Sequence, residues 1–179
     1  LLHRPLFPGT RPEEIASQSE SRNVDRDRES IWISYSPMPS KDLPLQSLGL
    51  FNSHHRLATP VSAWEKLKIG GGTPPILTRH GWLICYHGVS KISGSNGGTG
   101  ELCYSAGAMV LAKGNPCEIR YRSLNPVLRP KLREERVGII ANVVFPTGID
   151  RRDDLGLRDR FDVYYGMADN RIGVARLDV

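Results

Sequence analysis

The run Lys66-Leu67-Lys68-Ile69 leads straight into Gly70-Gly71-Gly72. Lysine brings a compact positive charge, and glycines let a backbone approach a ligand closely, with turned N–H groups able to cradle an anion. The order excludes a P-loop, in which the lysine follows the glycines. Taken alone, the run reads equally as a glycine turn beside a solvated lysine. His87, in Tyr86-His87-Gly88, ends an apolar run where a glycine leaves room for a ligand. Its ring nitrogens suit a phosphate or sugar oxygen, against the default of a satisfied structural histidine. Arg4, in His3-Arg4-Pro5, offers a planar fork that fits phosphate; its default is a surface arginine. Asp169 can accept from sugar hydroxyls or simply close the Asp169-Asn170 turn. Tyr104 and Phe145 can stack on a sugar face or pack in a core.

Other chemistries find no support. His54 and His55 are adjacent and point apart on an extended chain, and no acidic cluster has calcium spacing, so no metal is expected. Cys85, Cys103 and Cys117 lack CxxC spacing and are too few for a disulfide framework. They read as reduced thiols, which points to a reducing compartment, the cytoplasm. There is no GxSxG nucleophile elbow. The 24 Lys+Arg against 19 Asp+Glu leave +5, mostly interspersed, with no nucleic-acid recognition motif. No run approaches the ~20 apolar residues of a membrane span. Neither nucleic acid nor a membrane is therefore an expected partner. The start Leu1-Leu2-His3-Arg4-Pro5 has no initiator Met and no signal-peptide pattern, and reads as the interior of a longer protein.

The elements that must position these residues are short and β-rich. Gly and Pro supply 18 and 13 of the 179 residues and punctuate the chain. Strand-like runs are Ile31-Trp32-Ile33-Ser34-Tyr35, Gly81-Trp82-Leu83-Ile84-Cys85-Tyr86-His87, and residues 102–111, 118–122, 137–145, 161–166 and 172–177. Turn signals separate them, among them Gly70-Gly71-Gly72, 93–100 and Asp169-Asn170. The pattern predicts an all-β sandwich, barrel or propeller. Ile84-Cys85-Tyr86-His87-Gly88-Val89 echoes Val163-Tyr164-Tyr165-Gly166-Met167-Ala168, which favours repeated blades. At ~40–50 residues per blade the chain holds three to four. The polar segment 10–30 reads as a surface-loop insertion, and 150–160 as a charged, solvated loop.

In this order, His3-Arg4-Pro5, Ile31-Trp32-Ile33-Ser34-Tyr35-Ser36, Trp64-Glu65-Lys66-Leu67-Lys68-Ile69-Gly70, Pro74-Pro75-Ile76, Gly81 to Val89, Tyr104-Ser105-Ala106-Gly107-Ala108, Asn142-Val143-Val144-Phe145-Pro146-Thr147-Gly148 and Tyr164-Tyr165-Gly166-Met167-Ala168-Asp169 resemble glycoside hydrolase family 130. That family comprises β-mannoside phosphorylases and related mannosidases. The resemblance implies a five-bladed β-propeller, with residues 1–179 forming roughly three C-terminal blades. It implies attack of inorganic phosphate on a β-mannoside with inversion, giving α-mannose 1-phosphate, and no cofactor beyond phosphate as co-substrate. Phosphate is already an anionic nucleophile near neutral pH, so such a site needs positioning and charge neutralisation rather than a strong base.

Carried over from the resemblance, Arg4, Lys68 and His87 form the phosphate-binding group. Tyr104, Phe145 and Asp169 form the sugar subsite. The family's proton-donor Asp lies ahead of the segment matching His3-Arg4-Pro5. No residue here is therefore assigned as catalytic acid, and the isolated chain is expected to be inactive. A hydrolase on the same scaffold and a non-catalytic carbohydrate-binding fragment are the alternatives; self-association through an exposed blade edge is a further expectation.

Overall fold

The structure, a computed structural model, describes residues 1–5, 28–37, 49–92 and 100–179. Three antiparallel sheets follow one another along the chain. The first has the order β1 (Leu2–His3), β2 (Ile31–Tyr35), β3 (Asn52–Ala58). The second contains β4 (Lys68–Gly71), β5 (Ile76–Thr78), β6 (Gly81–Ile92), β7 (Glu101–Leu111) and β8 (Ile119–Arg122). Its order is β4-β6-β7-β8, and β5 also pairs with β6. The third has the order β11-β10-β9, from β9 (Val144–Arg151), β10 (Arg160–Met167) and β11 (Arg171–Asp178). Among the described residues, the 3-10 turn Ala63–Glu65 lies between the first and second sheets, the helical turn α1 (Arg133–Arg136) between the second and third, and the 3-10 turn Asp153–Leu155 between β9 and β10. The all-β expectation holds.

The middle sheet is buried on both faces, which explains the continuous apolar runs of β6 and β7. Successive side chains on a strand point to opposite faces. Ile84 and Tyr86 of β6, with Met109 and Leu111 of β7, pack against Ile31, Ile33 and Leu57 of the first sheet. Leu83 of β6, with Ala108 and Val110 of β7, packs against Phe161 of the third sheet. Ala106 also faces the third sheet, meeting Val144 and Tyr165. Stacked sheets made in sequence order are the architecture of propeller blades.

The echo seen in the sequence has a physical counterpart. Tyr86 and Tyr165 occupy the middle strands of the second and third sheets. Each donates its O–H to a buried carboxylate at 2.9 Å, Tyr86 to Glu65 and Tyr165 to Glu135. Each carboxylate also accepts two backbone N–H groups: Val61 and Ser62 donate to Glu65 at 3.0 and 3.1 Å, and Lys131 and Leu132 to Glu135 at 2.7 and 2.8 Å. Burial pushes the Glu135 carboxyl up, but these three donors outweigh it and hold it below the ordinary carboxylate range. Burial likewise pushes the Tyr165 hydroxyl up to about 12. Glu65 has a further partner, Arg122, at 2.9 Å. The same device thus clamps a short turn to the central strand of two successive sheets.

Four expectations need correction. Gly70 and Gly71 are not a free turn: they belong to β4 and pair with His87 and Tyr86 of β6. Residues 137–142 are not a strand, and β9 begins at Val144. Gly138 lies so close to Ala168 that a Cβ would fall 2.3 Å from the Ala168 carbonyl oxygen. Asn142 has φ 59°, which breaks an extended run. The segment 150–160 is not merely solvated: β9 runs on through Arg151, and buried Asp159 pairs with Arg79 at 3.0 Å and with Arg151 at 3.5 Å. In the segment 10–30, Ser30 is buried and Glu29 is half-buried, so its end is not a surface loop. Residues 10–27 of that segment, and 93–99, lie outside the described residues.

Candidate phosphate and sugar site

Strand register brings the site together. Lys68 of β4 and Tyr104 of β7 both pair with Val89 of β6, so the three side chains share a face. His87, two residues before Val89, shares that face and pairs with Gly70 on one side and Ala106 on the other. Gly70 is what makes space for the ring: a Cβ there would fall 2.4 Å from His87 Cε1. Phe145, the second residue of β9, stacks on His87 with centroids 4.3 Å apart. Asp169 sits in the β10–β11 turn with φ 51°. Arg4 follows β1.

All six residues named from the sequence, Arg4, Lys68, His87, Tyr104, Phe145 and Asp169, line one cavity of about 350 Å³, together with Ile140 and Val143. A second cavity of about 650 Å³, walled by Gly70 to Pro75, Thr147 and the N-terminal residues, shares Arg4 and His87 with the first. The Arg4–His87 pair therefore stands between two cavities. A cavity of about 660 Å³ elsewhere is lined mainly by apolar side chains such as Leu83, Val110, Val127 and Leu177. Its lining also carries His80, Arg120, Tyr121 and Asp178, and none of the six residues singled out from the sequence.

His87 is 5% exposed. Burial, reinforced by the charges of Arg4 and Lys68, holds its ring down to about 4 even though a hydrogen bond to the Gly71 carbonyl favours the charged form. The ring is thus neutral near pH 7. Nδ1 lies 2.9 Å from the Gly71 carbonyl oxygen, which can only accept, so the proton sits on Nδ1. Nε2 then carries the lone pair and accepts from Arg4 Nη1 at 3.3 Å. In this state His87 orients the guanidinium and adds no third positive charge. Lys68 Nζ stands 6.0 Å from the centre of the Tyr104 ring, so the cations border the aromatic wall.

Sequence reasoning missed Glu29. Its carboxylate oxygen Oε2 lies 2.9 Å from Arg4 Nε and 3.9 Å from Lys68 Nζ. The Ile69 N–H bonds the Glu29 carbonyl at 3.1 Å, which fixes this residue beside β4. Nothing in the spacing flags a carboxylate 25 residues after Arg4 in a polar stretch. Among the described residues no group of three or more His, Cys, Asp or Glu is placed to hold a metal ion.

Successive antiparallel sheets with a polar and aromatic cavity where their strands meet are a propeller-type arrangement. The family model of glycoside hydrolase family 130, described as beta-1,4-mannooligosaccharide phosphorylase, matches residues 48–179, and the chain belongs to that family. It is 38% identical over 125 residues to the beta-1,4-mannooligosaccharide phosphorylase of Ruminococcus albus, covering 70% of this chain and 35% of that protein. It is 33% identical over 150 residues to the 1,2-beta-oligomannan phosphorylase of a Thermoanaerobacter species, covering 83% of this chain and 43% of that one. The solved beta-1,2-mannobiose phosphorylase of Listeria innocua, in complex with beta-1,2-mannobiose, superposes with a TM-score of 0.71 at 26% identity, over 99% of this chain and 39% of its own. The fold is accordingly that family's five-bladed β-propeller, of which this chain carries roughly three blades. The chain spans less than half the length of these relatives.

Proposed function

We propose that the protein containing this chain cleaves β-mannosides by phosphorolysis, with inversion, releasing α-mannose 1-phosphate. A phosphate oxygen forms a bond to the anomeric carbon while the glycosidic C–O bond breaks, and the leaving oxygen takes a proton from an acid assigned to no residue of this chain. Arg4 and Lys68 neutralise and hold the phosphate. His87 keeps the guanidinium aimed through its Nε2 lone pair. Tyr104 and Phe145 offer the apolar sugar face a surface, and Asp169 accepts from hydroxyls. Inorganic phosphate is the only co-substrate in this reading.

The observation that carries it is the convergence of two cations, a stacked aromatic wall and a carboxylate on one cavity of about 350 Å³. Relatives named as phosphorylases of both β-1,4- and β-1,2-linked mannosides support the reaction class and leave the linkage open. Incubating the purified full-length protein with β-1,4- and β-1,2-mannobiose, with and without phosphate, tests it. Mannose 1-phosphate formed only with phosphate is the expected result. Free mannose released at the same rate without phosphate would instead make the protein a hydrolase.

A further inference from the structure

Glu29 is placed where the anion should be. Its Oε2 is buried and lies between two cations, 2.9 Å from Arg4 Nε and 3.9 Å from Lys68 Nζ. Yet that oxygen accepts no well-aligned hydrogen bond. A buried acceptor held by charge alone is an incomplete arrangement, because its hydration is lost and no N–H is aimed at it. The Glu29 backbone, by contrast, is firmly anchored through the Ile69 N–H at 3.1 Å. The side chain can leave without releasing the strand.

We propose that Glu29 is an internal competitor for the anion site: its carboxylate holds the place between Arg4 and Lys68, and phosphate binds by displacing it. The inference rests on the phosphate reading above and deepens it. With His87 neutral, Arg4 and Lys68 bring two positive charges to the point where Glu29 brings one negative charge, and the Asp169 carboxylate lines the same cavity without an ion pair to either cation. A monoanion offers this pair no more charge than Glu29 already supplies. Dianionic phosphate does, and its oxygens also present acceptors that the guanidinium fork and the ammonium can meet squarely. Glu29 therefore sets selectivity for a doubly charged anion over chloride or a carboxylate, at the cost of some phosphate affinity.

The alternative role is a brace that merely holds Arg4 in place, and the two roles predict opposite signs. The test uses the full-length protein and Glu29→Gln, which keeps side-chain size and the backbone bond to Ile69. Inorganic phosphate is titrated calorimetrically against wild type, Glu29→Gln and Arg4→Ala, and phosphate and mannoside KM values are measured with and without added chloride and acetate. The proposal expects Glu29→Gln to bind phosphate about tenfold more tightly, the scale of one charge-assisted contact. It also expects a matching fall in the phosphate KM, an unchanged mannoside KM, and new inhibition by chloride and acetate. Phosphate binding that Arg4→Ala abolishes but Glu29→Gln leaves equal or weaker would overturn the proposal and leave the phosphate site standing. Phosphate binding insensitive to Arg4→Ala would remove both.

Discussion

Replacing Gly70 with alanine tests how the site is packed. The added Cβ would stand 2.4 Å from His87 Cε1, 2.8 Å from Nε2 and 3.3 Å from Arg4 Nη1. Carbon–carbon contacts settle near 3.5–4.0 Å, so the ring must retreat by about 1 Å. It has little freedom to do so. Phe145 lies against its face at 4.3 Å, and the ring is tied to the Gly71 carbonyl at 2.9 Å and to Arg4 at 3.3 Å. Overpacking costs about 1–3 kcal/mol, and each lost hydrogen bond about 0.5–1.5 kcal/mol. With both bonds lost the sum is about 2–6 kcal/mol of stability, and Arg4 loses its acceptor. Gly70→Ala in the full-length protein should unfold at a clearly lower temperature and show a phosphate KM raised about tenfold or more, the equivalent of one charge-assisted contact. Gly114→Ala is the control, because nothing lies within 4 Å of a Cβ there. If Gly70→Ala melts and binds phosphate like wild type, the inferred packing of His87 is wrong.

Three further outcomes follow from the same geometry. His87 titrates at about 4 when folded against 6.5 when unfolded, so between those values the unfolded chain binds the extra proton. Stability should fall as pH drops through this window, by up to about 3 kcal/mol, and His87→Asn should flatten that part of the profile in urea unfolding at pH 4 to 7. Glu65→Ala leaves the Arg122 guanidinium, the Tyr86 hydroxyl and two backbone N–H groups without their acceptor. It should cost about 3–5 kcal/mol, and more than Glu135→Ala, which has no direct ion pair to lose; equal effects in denaturant titrations would contradict this. Burial pushes the Cys85 thiol up to about 11, so alkylation at pH 8 followed by site-resolved mass spectrometry should label Cys103 and Cys117 while Cys85 reacts only on unfolding.

Much of the fold was legible because the middle of the chain is buried on both sides. β2 was found at its observed bounds, and β6 and β7 as apolar runs that needed no alternation to be noticed. The Tyr86 and Tyr165 echo was legible too, since the second and third sheets share the same tyrosine–carboxylate clamp. β3 was missed because its His54, His55 and Arg56 are exposed polar side chains on a pairing strand. β4 was missed because Lys68-Ile69-Gly70-Gly71 is a strand by virtue of its partner β6, and Gly70 makes room for the His87 ring rather than forming a turn. Conversely, Val137 and Ile139 look strand-forming yet are 64% and 79% exposed. Close approach to Ala168 decides that stretch, and no local preference encodes it. The six site residues came from a family resemblance and meet at one cavity. Glu29 did not, because an ion pair between segments far apart in sequence leaves no periodic trace.

The most direct measurement is a crystal structure of the full-length protein with inorganic phosphate and mannose. The account predicts phosphate within hydrogen-bonding reach of both Arg4 and Lys68, Glu29 turned away from them, and the sugar against Tyr104 and Phe145. Phosphate bound away from this cavity, or Arg4 and Lys68 engaged on different groups, would contradict it.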